Sequence, residues 1–114
     1  SIPGRLEPEI RTLAGRIRQN PELPFDWETE AEKLGISLTS LRRFFHSYLG
    51  TPAGEYLQNA RIGRARRMLV ETALPVAEIA RRCGFADPFY FSRRFRAETG
   101  ETASAYRVHH LVSS

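Results

Sequence analysis

The chain contains two copies of one short unit, and this repeat constrains its fold more than any other feature. The two copies match at an offset of 49 residues in one stretch and of 50 in the next, through the segment pairs 31–36 with 80–85 and 41–45 with 91–95. Gly50 then matches Gly100 at the same offset of 50. Repetition of a unit this short predicts a duplicated supersecondary motif.

Each copy has the pattern of a helix, a tight turn and a second helix. Apolar residues recur at helical spacing before the turn, namely Trp27, Ala31 and Leu34 in the first copy and Val76, Ile79, Ala80 and Cys83 in the second. Gly35 and Gly84 follow these stretches and can adopt the left-handed conformation that ends a helix. Asp26 is a predicted N-cap of the first helix, and Ser37 and Asp87 are predicted N-caps of the two second helices.

The second helix of each copy has one apolar face and one polar or basic face. The predicted buried residues are Leu41, Phe44, Phe45 and Tyr48 in the first copy and Phe91 and Phe95 in the second. The opposite face carries Thr39, Arg42, Arg43 and His46, or Phe89, Ser92, Arg93 and Arg96. A helix, a glycine turn and a second helix with an outward basic face is typical of a DNA-binding helix-turn-helix, although helical hairpins without DNA partners share the geometry.

The remaining segments complete an all-α fold of seven helices. A proline-free stretch, 53–71, predicts a linker helix of about 28 Å, close to the ~34 Å between successive major-groove faces of DNA. Arg61 falls on the apolar face of this helix, which predicts a structural arginine paired with a carboxylate or a helix C-terminus. A first helix is predicted over 9–19, and a last helix over 103–112 should place Tyr106 and Leu111 behind the second copy. The predicted divisions are 1–52 with the first helix-turn-helix, the linker 53–71, and 72–114 with the second helix-turn-helix.

The charge distribution favours a polyanionic partner. Of 17 basic residues, sixteen are arginine, and the sequence pI is about 9.8. The first 34 residues hold five basic and seven acidic side chains, whereas the other 80 hold twelve and six. Arginine binds phosphate and guanine through two parallel hydrogen bonds. The excess positive charge therefore lies in residues 35–114, which include the second helix of both copies, and predicts binding to nucleic acid or to an anionic surface.

The segment 76–100, Val-Ala-Glu-Ile-Ala-Arg-Arg-Cys-Gly-Phe-Ala-Asp-Pro-Phe-Tyr-Phe-Ser-Arg-Arg-Phe-Arg-Ala-Glu-Thr-Gly, followed by Tyr106 and Arg107, resembles a signature of the AraC/XylS family of bacterial transcription regulators. Leu-Arg-Arg-Phe-Phe at 41–45 and the linker segment resemble the first half of that family's DNA-binding domain. The resemblance covers 24–107. It implies two helix-turn-helix units that bind adjacent major-groove segments of promoter DNA and regulate transcription.

The resemblance also implies which residues read bases. These are Thr39, Arg42 and Arg43 in the first copy and Pro88, Phe89, Ser92 and Arg93 in the second. The predicted phosphate contacts are Ser37, Ser40, His46, Arg64, Arg67, Arg94 and Arg96. The chain departs from the family at Pro88 and Phe89, because family members usually have polar residues at the start of the second reading helix.

Other functional classes fit the sequence less well. His46, His109, His110 and Cys83 do not have metal-ligand spacing, and no phosphate-binding glycine pattern is present, so we predict neither an enzyme nor a cofactor. Cys83 completes an apolar stripe and is predicted to be a buried thiol. The open alternative is a helical module whose basic face binds an acidic protein partner.

The cellular location of the protein is predicted from its cysteine content and from the length of its apolar runs. A single cysteine cannot form an internal disulfide, and no apolar run approaches the roughly 20 residues of a membrane helix, which predicts a cytoplasmic protein that does not bind membranes. The chain starts at Ser1 and has Met68 as its only methionine, which predicts a fragment of a longer protein. We expect the fragment to be monomeric, with RNA polymerase as a further partner.

Overall fold

The computed structural model describes residues 3–112, and all regular secondary structure in that range is helical. A 3-10 turn at Pro3–Leu6 precedes seven α-helices: α1 Glu7–Gln19, α2 Trp27–Leu34, α3 Leu38–Leu49, α4 Ala53–Glu71, α5 Val76–Arg82, α6 Pro88–Thr99 and α7 Ala103–Val112. The predicted fold class and helix number are confirmed for this range. None of these helices is both long enough and apolar enough to cross a lipid bilayer.

The bounds of α4 agree with the predicted linker helix. The helix begins directly after Pro52, whose carbonyl oxygen accepts the Tyr56 N–H at 3.0 Å. At the other end, the Thr72 hydroxyl donates to the Met68 carbonyl at 2.7 Å, and Pro75 follows before α5 begins. Proline cannot continue a helix, so the chain leaves α4 within a few residues of Glu71.

The chain forms two compact units, and the division between them falls within α4. Of the described residues, unit 1 contains 3–20 together with Pro24–Gln58. Unit 2 contains Pro21–Leu23 and residues 59–112. Each unit therefore holds one complete helix-turn-helix, α2 with α3 in unit 1 and α5 with α6 in unit 2. The three divisions drawn from the sequence remain a prediction.

The core of unit 1 lies among α1, α2, α3 and the start of α4. Its most buried side chains are Ile10, Leu13, Ala14, Ile17, Ala31, Leu41, Phe45, Ala53 and Leu57. Phe45 is fully buried and packs edge-on against Trp27 and Tyr56, with ring centroids 5.8 and 5.3 Å away. Phe44 and Tyr48, predicted to be buried, are only half-buried, because the two positions lie at the edge of the apolar face of α3.

The core of unit 2 is one continuous cluster of eleven buried side chains: Ile62, Ala65, Leu69, Ile79, Ala80, Cys83, Phe85, Phe91, Phe95, Ala103 and Tyr106. Phe95 packs edge-on against Tyr106, with ring centroids 5.4 Å apart. Tyr106 is buried in this cluster, whereas Leu111, also expected to lie behind the second copy, is 50% exposed. The two residues are five positions apart, about 140° around a helix, and cannot share one face.

Candidate nucleic-acid interface

The turn of the first helix-turn-helix depends on Gly35. This glycine has φ 71° and ψ 28°, the left-handed conformation predicted for the helix end. Its N–H donates to the Glu32 carbonyl at 3.0 Å, and the Ile36 N–H donates to the Ala31 carbonyl at 3.1 Å. These bonds satisfy carbonyl groups at the end of α2, and three residues then separate it from α3.

A serine pair fixes the start of α3. Ser37 Oγ accepts the Ser40 N–H at 3.0 Å and donates to Ser40 Oγ, also at 3.0 Å. Ser37 is thus the N-cap of α3, as predicted. Ser37 is exposed and Ser40 is half-buried, and their role as phosphate contacts remains a prediction.

The outward face of α3 carries the polar residues predicted from the sequence. Thr39, Arg42, Arg43 and His46 are all exposed, whereas Leu41 on the opposite face is completely buried. Arg42, Arg43 and His46 also line one shallow depression beside the first residues of α4. The structure therefore brings together three predicted base-reading residues and one predicted phosphate contact on one face of unit 1.

The second helix-turn-helix repeats this construction with different residues. Gly84 has φ 97°, and the Phe85 N–H donates to the Ala80 carbonyl at 3.0 Å, as Ile36 does to Ala31 in the first copy. Asp87 Oδ1 then accepts the Phe89 N–H at 2.9 Å and caps α6. A hydroxyl and a carboxylate can each accept an orphan N–H at a helix start, at i+3 for Ser37 and at i+2 for Asp87, so both copies have a capped second helix in spite of the exchange.

The outward face of α6 is basic at one end and apolar at the other. Its exposed predicted contacts are Pro88, Phe89, Ser92, Arg93 and Arg96. The Phe89 side chain is 74% exposed, whereas Phe91 and Phe95 are buried in the core of unit 2. The Arg93 guanidinium carbon lies 5.9 Å from the centroid of the Tyr90 ring, a cation-π distance.

Arg94 is a predicted phosphate contact whose side chain already has partners within the protein. Its side chain is only 17% exposed, its Nη2 donates to Asn59 Oδ1 at 2.8 Å, and its Nε lies 3.5 Å from Glu98 Oε2. A phosphate would have to share the guanidinium with these two partners. The assignment of Arg94 to phosphate remains a prediction, and the structure gives it a second role in holding α6 to α4.

Three arginines of α4 in unit 2, Arg64, Arg66 and Arg67, differ in their exposure and in their partners. Arg67 is exposed, so its side chain is accessible to a phosphate group, and its role as a phosphate contact remains a prediction. Arg64 is half-buried, with its Nε 3.8 Å from Glu22 Oε1. Arg66 Nε donates to the Tyr106 hydroxyl at 3.1 Å, so it contributes to packing against α7.

Arg61 is the structural arginine that the sequence predicts, but its partners are different. Its Nε donates to the Pro21 carbonyl at 2.7 Å and its Nη2 to the Leu23 carbonyl at 3.0 Å. The predicted partner was a carboxylate or a helix C-terminus. Partial burial lowers the pKa of Arg61 from its ordinary value. This arginine therefore ties the segment between α1 and α2 to α4 within unit 2.

Arg107 was not assigned a structural role from the sequence. Its Nε donates to the Leu69 carbonyl at 2.9 Å and its Nη2 to the Thr72 carbonyl at 3.3 Å, so it caps the C-terminal end of α4. The two partners are 38 and 35 residues away along the chain. No local pattern predicts a contact over that distance.

The charged groups of α5 are paired with one another, and the thiol of Cys83, which follows the helix, is buried. Arg81 and Arg82 both bind the Glu78 carboxylate, and their hydrogen bonds lower the pKa of Glu78 to about 2. Cys83 is completely buried, as predicted, and burial raises the pKa of its thiol to about 11. Within residues 3–112 no group of three or more His, Cys, Asp or Glu side chains could hold a metal ion.

The two outward faces share a chemistry suited to double-stranded DNA. Exposed guanidinium groups can bind phosphate oxygens or the acceptors of guanine, and hydroxyl groups can bond to base edges. An α-helix fits the width of the major groove of B-DNA. Each unit presents one such helix, which has an N-cap at its start and follows a glycine turn.

Comparison with known proteins agrees with this geometry. A family model described as a helix-turn-helix domain matches residues 31–109. The chain is also 37% identical over 105 residues to the HTH-type transcriptional activator RhaR of Cronobacter sakazakii. This match covers 92% of the chain and 37% of RhaR, so the chain spans little more than a third of that relative's length.

Solved structures show the same fold. The DNA-binding domain of the global transcriptional factor AdpA, solved in complex with a target DNA, has a TM-score of 0.80 at 30% sequence identity, over 94% of each chain. A transcriptional regulator from Chromobacterium violaceum, described as a protein with an AraC-type DNA-binding domain, has a TM-score of 0.78 at 28% identity, over 92% of this chain and 94% of that one. The family match over most of the chain and these likenesses show that this chain belongs to the AraC/XylS-type helix-turn-helix DNA-binding domains of transcription regulators.

Proposed function

We propose that this chain binds double-stranded promoter DNA at a specific sequence and thereby regulates transcription. The observation that carries the proposal is the repeated presentation of one helix face. In both α3 and α6 the residues at matching positions, Thr39 with Phe89 and Arg43 with Arg93, are exposed on a helix whose opposite face is buried. A surface built twice in this way is suited to reading two adjacent major-groove segments of one duplex.

The proposed contacts divide into base reading and phosphate binding. Thr39, Arg42 and Arg43 of α3 read base edges, as do the outward residues of α6. Phosphate binding by Ser37, Ser40, His46, Arg64, Arg67, Arg94 and Arg96 positions the domain on the duplex without selecting a sequence. The support for this division is the exposure of the α3 and α6 faces and the net positive charge of residues 35–114.

The proposed assembly is one protein molecule on a non-palindromic site. The two reading helices differ in sequence and follow one another along a single chain, so a two-fold symmetric site is not needed. A regulator of transcription acts where the genome is, and we place this one in the bacterial cytoplasm. Contact with RNA polymerase completes the proposal, because a bound regulator must alter initiation.

Binding to a duplex selected from a random pool tests the function. We expect a protein that prefers the selected duplex over a shuffled one by roughly a thousandfold or more, with affinity that falls linearly on a logarithmic salt scale. Sedimentation of the complex should show one protein molecule per duplex.

The competing interpretation is an interaction module that binds an acidic protein through the same arginines. Such a module would bind the selected and shuffled duplexes equally, or neither of them. That result would contradict the proposed function. Two protein molecules on a selected palindrome would contradict the proposed stoichiometry.

A further inference from the structure

Phe89 is an aromatic side chain in an unusual place. Its ring is 74% exposed, whereas Phe91 and Phe95 of the same helix are at most 1% exposed. Tyr90, its neighbour, is half-buried and lies 6.0 Å from Phe85 between ring centroids. The interior of unit 2 is thus filled by the other rings of this helix, and Phe89 does not contribute to it.

The backbone that carries Phe89 is held in place. Asp87 Oδ1 accepts the Phe89 N–H at 2.9 Å, and Pro88 occupies the first position of α6, where its ring fixes φ near the helical value. A phenylalanine side chain has only two rotatable bonds, so presenting it to a partner costs little conformational entropy. The start of α6 therefore holds the Phe89 side chain in position for an apolar contact.

The surroundings of Phe89 are polar and cationic. Ser92, Arg93 and Arg96 follow it at i+3, i+4 and i+7, which places all four within about 100° of one helix face. All three neighbours are exposed. An apolar protein partner would have to bury two guanidinium groups beside the ring, whereas the edge of a DNA groove offers phosphates to the arginines and an apolar group to the ring.

The apolar group that the major groove offers is the C5-methyl of thymine. A phenyl ring cannot bond to N7, O6 or N4, so it cannot distinguish guanine, cytosine or adenine by hydrogen bonding. Resting on the proposed function, we propose that Phe89 makes α6 selective for thymine by packing against that methyl group. The matching residue of α3 is Thr39, whose hydroxyl can bond to base edges, so the two units read different features of the bases.

Deoxyuridine lacks only the C5-methyl of thymine, so a deoxyuridine scan of the selected duplex isolates the proposed contact. Each thymine is replaced singly, and affinity is measured for the wild-type chain and for the variants Phe89→Ser and Phe89→Leu. The half of the site bound by α6 is identified as the half whose major-groove protection is lost in Arg93→Ala. We expect one or two positions there to lose about three- to fivefold in affinity with the wild-type chain.

The variants determine whether the loss depends on the ring. Phe89→Ser should bind the thymine and deoxyuridine duplexes equally, and Phe89→Leu, which keeps an apolar side chain, should still prefer thymine. Thr39→Ser is the matched control in α3 and should leave the deoxyuridine effect in the α6 half unchanged. Because Phe89 is exposed, unchanged thermal unfolding of each variant is expected and is checked by circular dichroism.

The outcomes separate this inference from the proposed function. If the wild-type chain prefers its selected duplex but no deoxyuridine position matters, or if the effect persists in Phe89→Ser, the inference is wrong and the function stands. Equal weakening of all duplexes by Phe89→Ser, as for a ring that inserts between base steps regardless of sequence, also overturns it. Failure to prefer the selected duplex at all would overturn the function and the inference together.

Discussion

Replacing Gly84 by alanine should destabilise unit 2 through a contact that its counterpart Gly35 does not make. Gly84 has φ 97°, and a Cβ built there would lie 2.8 Å from Arg61 Nε and 3.2 Å from the Glu22 carbonyl oxygen. Arg61 Nε already donates to the Pro21 carbonyl at 2.7 Å. A methyl group at residue 84 therefore displaces the guanidinium from its partner.

The expected loss of stability has three components. The left-handed backbone costs alanine about 1–2 kcal/mol, and the reduced freedom of the unfolded chain returns about 0.4–1 kcal/mol. A displaced hydrogen bond from a charged group, as between Arg61 and Pro21, adds about 1.5–3 kcal/mol. The free energy of unfolding of Gly84→Ala should thus fall by about 2–4 kcal/mol.

Gly35→Ala is the matched control. Gly35 has φ 71°, and no atom of the described part of the chain lies within 4 Å of a Cβ added there. Only the backbone components remain, and the expected loss is about 0–1.6 kcal/mol. The two variants share the repeat position and differ in the contacts with Arg61 and with the Glu22 carbonyl.

Urea unfolding followed by circular dichroism measures both changes, provided that the denaturant slope stays constant. In an Arg61→Met background the hydrogen bond is already absent, so Gly84→Ala should cost less than it does in the wild-type chain, and the close approach to the Glu22 carbonyl remains. Equal losses for the two glycine variants, or a loss at Gly84 that does not depend on residue 61, would refute the reasoning.

Three further predictions concern individual side chains. Arg43→Ala should weaken binding by about 1–3 kcal/mol and relax base preference at one position. Arg67→Ala should weaken binding to all duplexes alike and reduce the slope of log affinity against log salt by about one, as measured by titrations at several salt concentrations. A change of preferred bases only in the Arg67 variant would reverse the assignment. Since the pKa of the Cys83 thiol is raised from 9.0 to about 11, its contribution to stability is complete below pH 9.0 and is lost as the pH rises through about 11, and thiolate absorbance of the native protein should show that midpoint; a midpoint near 9 contradicts a buried thiol. Since the pKa of Glu78 is lowered from 4.5 to about 2, its contribution is present above pH 4.5 and is lost as the pH falls through about 2, so Glu78→Gln should lower the melting temperature at neutral pH and have a much smaller effect near pH 2.

Local features of the fold could be predicted from the sequence because their causes are local. The caps at Asp26, Ser37 and Asp87 and the left-handed glycines at residues 35 and 84 depend on neighbours within a few positions. The bounds of α4 follow from the prolines that flank it. The fold and the outward faces of α3 and α6 follow from these features and from apolar periodicity.

Contacts between distant segments could not be predicted in the same way. The carbonyl partners of Arg61 lie 40 and 38 residues away along the chain, and the sequence pattern indicated only that this arginine faces the protein. The partial burial of Arg94 against Asn59 depends on the packing of α6 beside α4, which a helical wheel does not contain. Charge alone does not separate such an arginine from an exposed one such as Arg67.

Methylation protection of guanine N7 in the major groove tests the central claim, that α3 and α6 each read DNA, most directly. With a selected duplex that carries guanines in both halves and with saturating protein, we predict two separate protected stretches in adjacent major-groove segments. Arg43→Ala should weaken protection only in the first stretch and Arg93→Ala only in the second. A single protected stretch, or two stretches that respond alike to both variants, would contradict two independent reading helices.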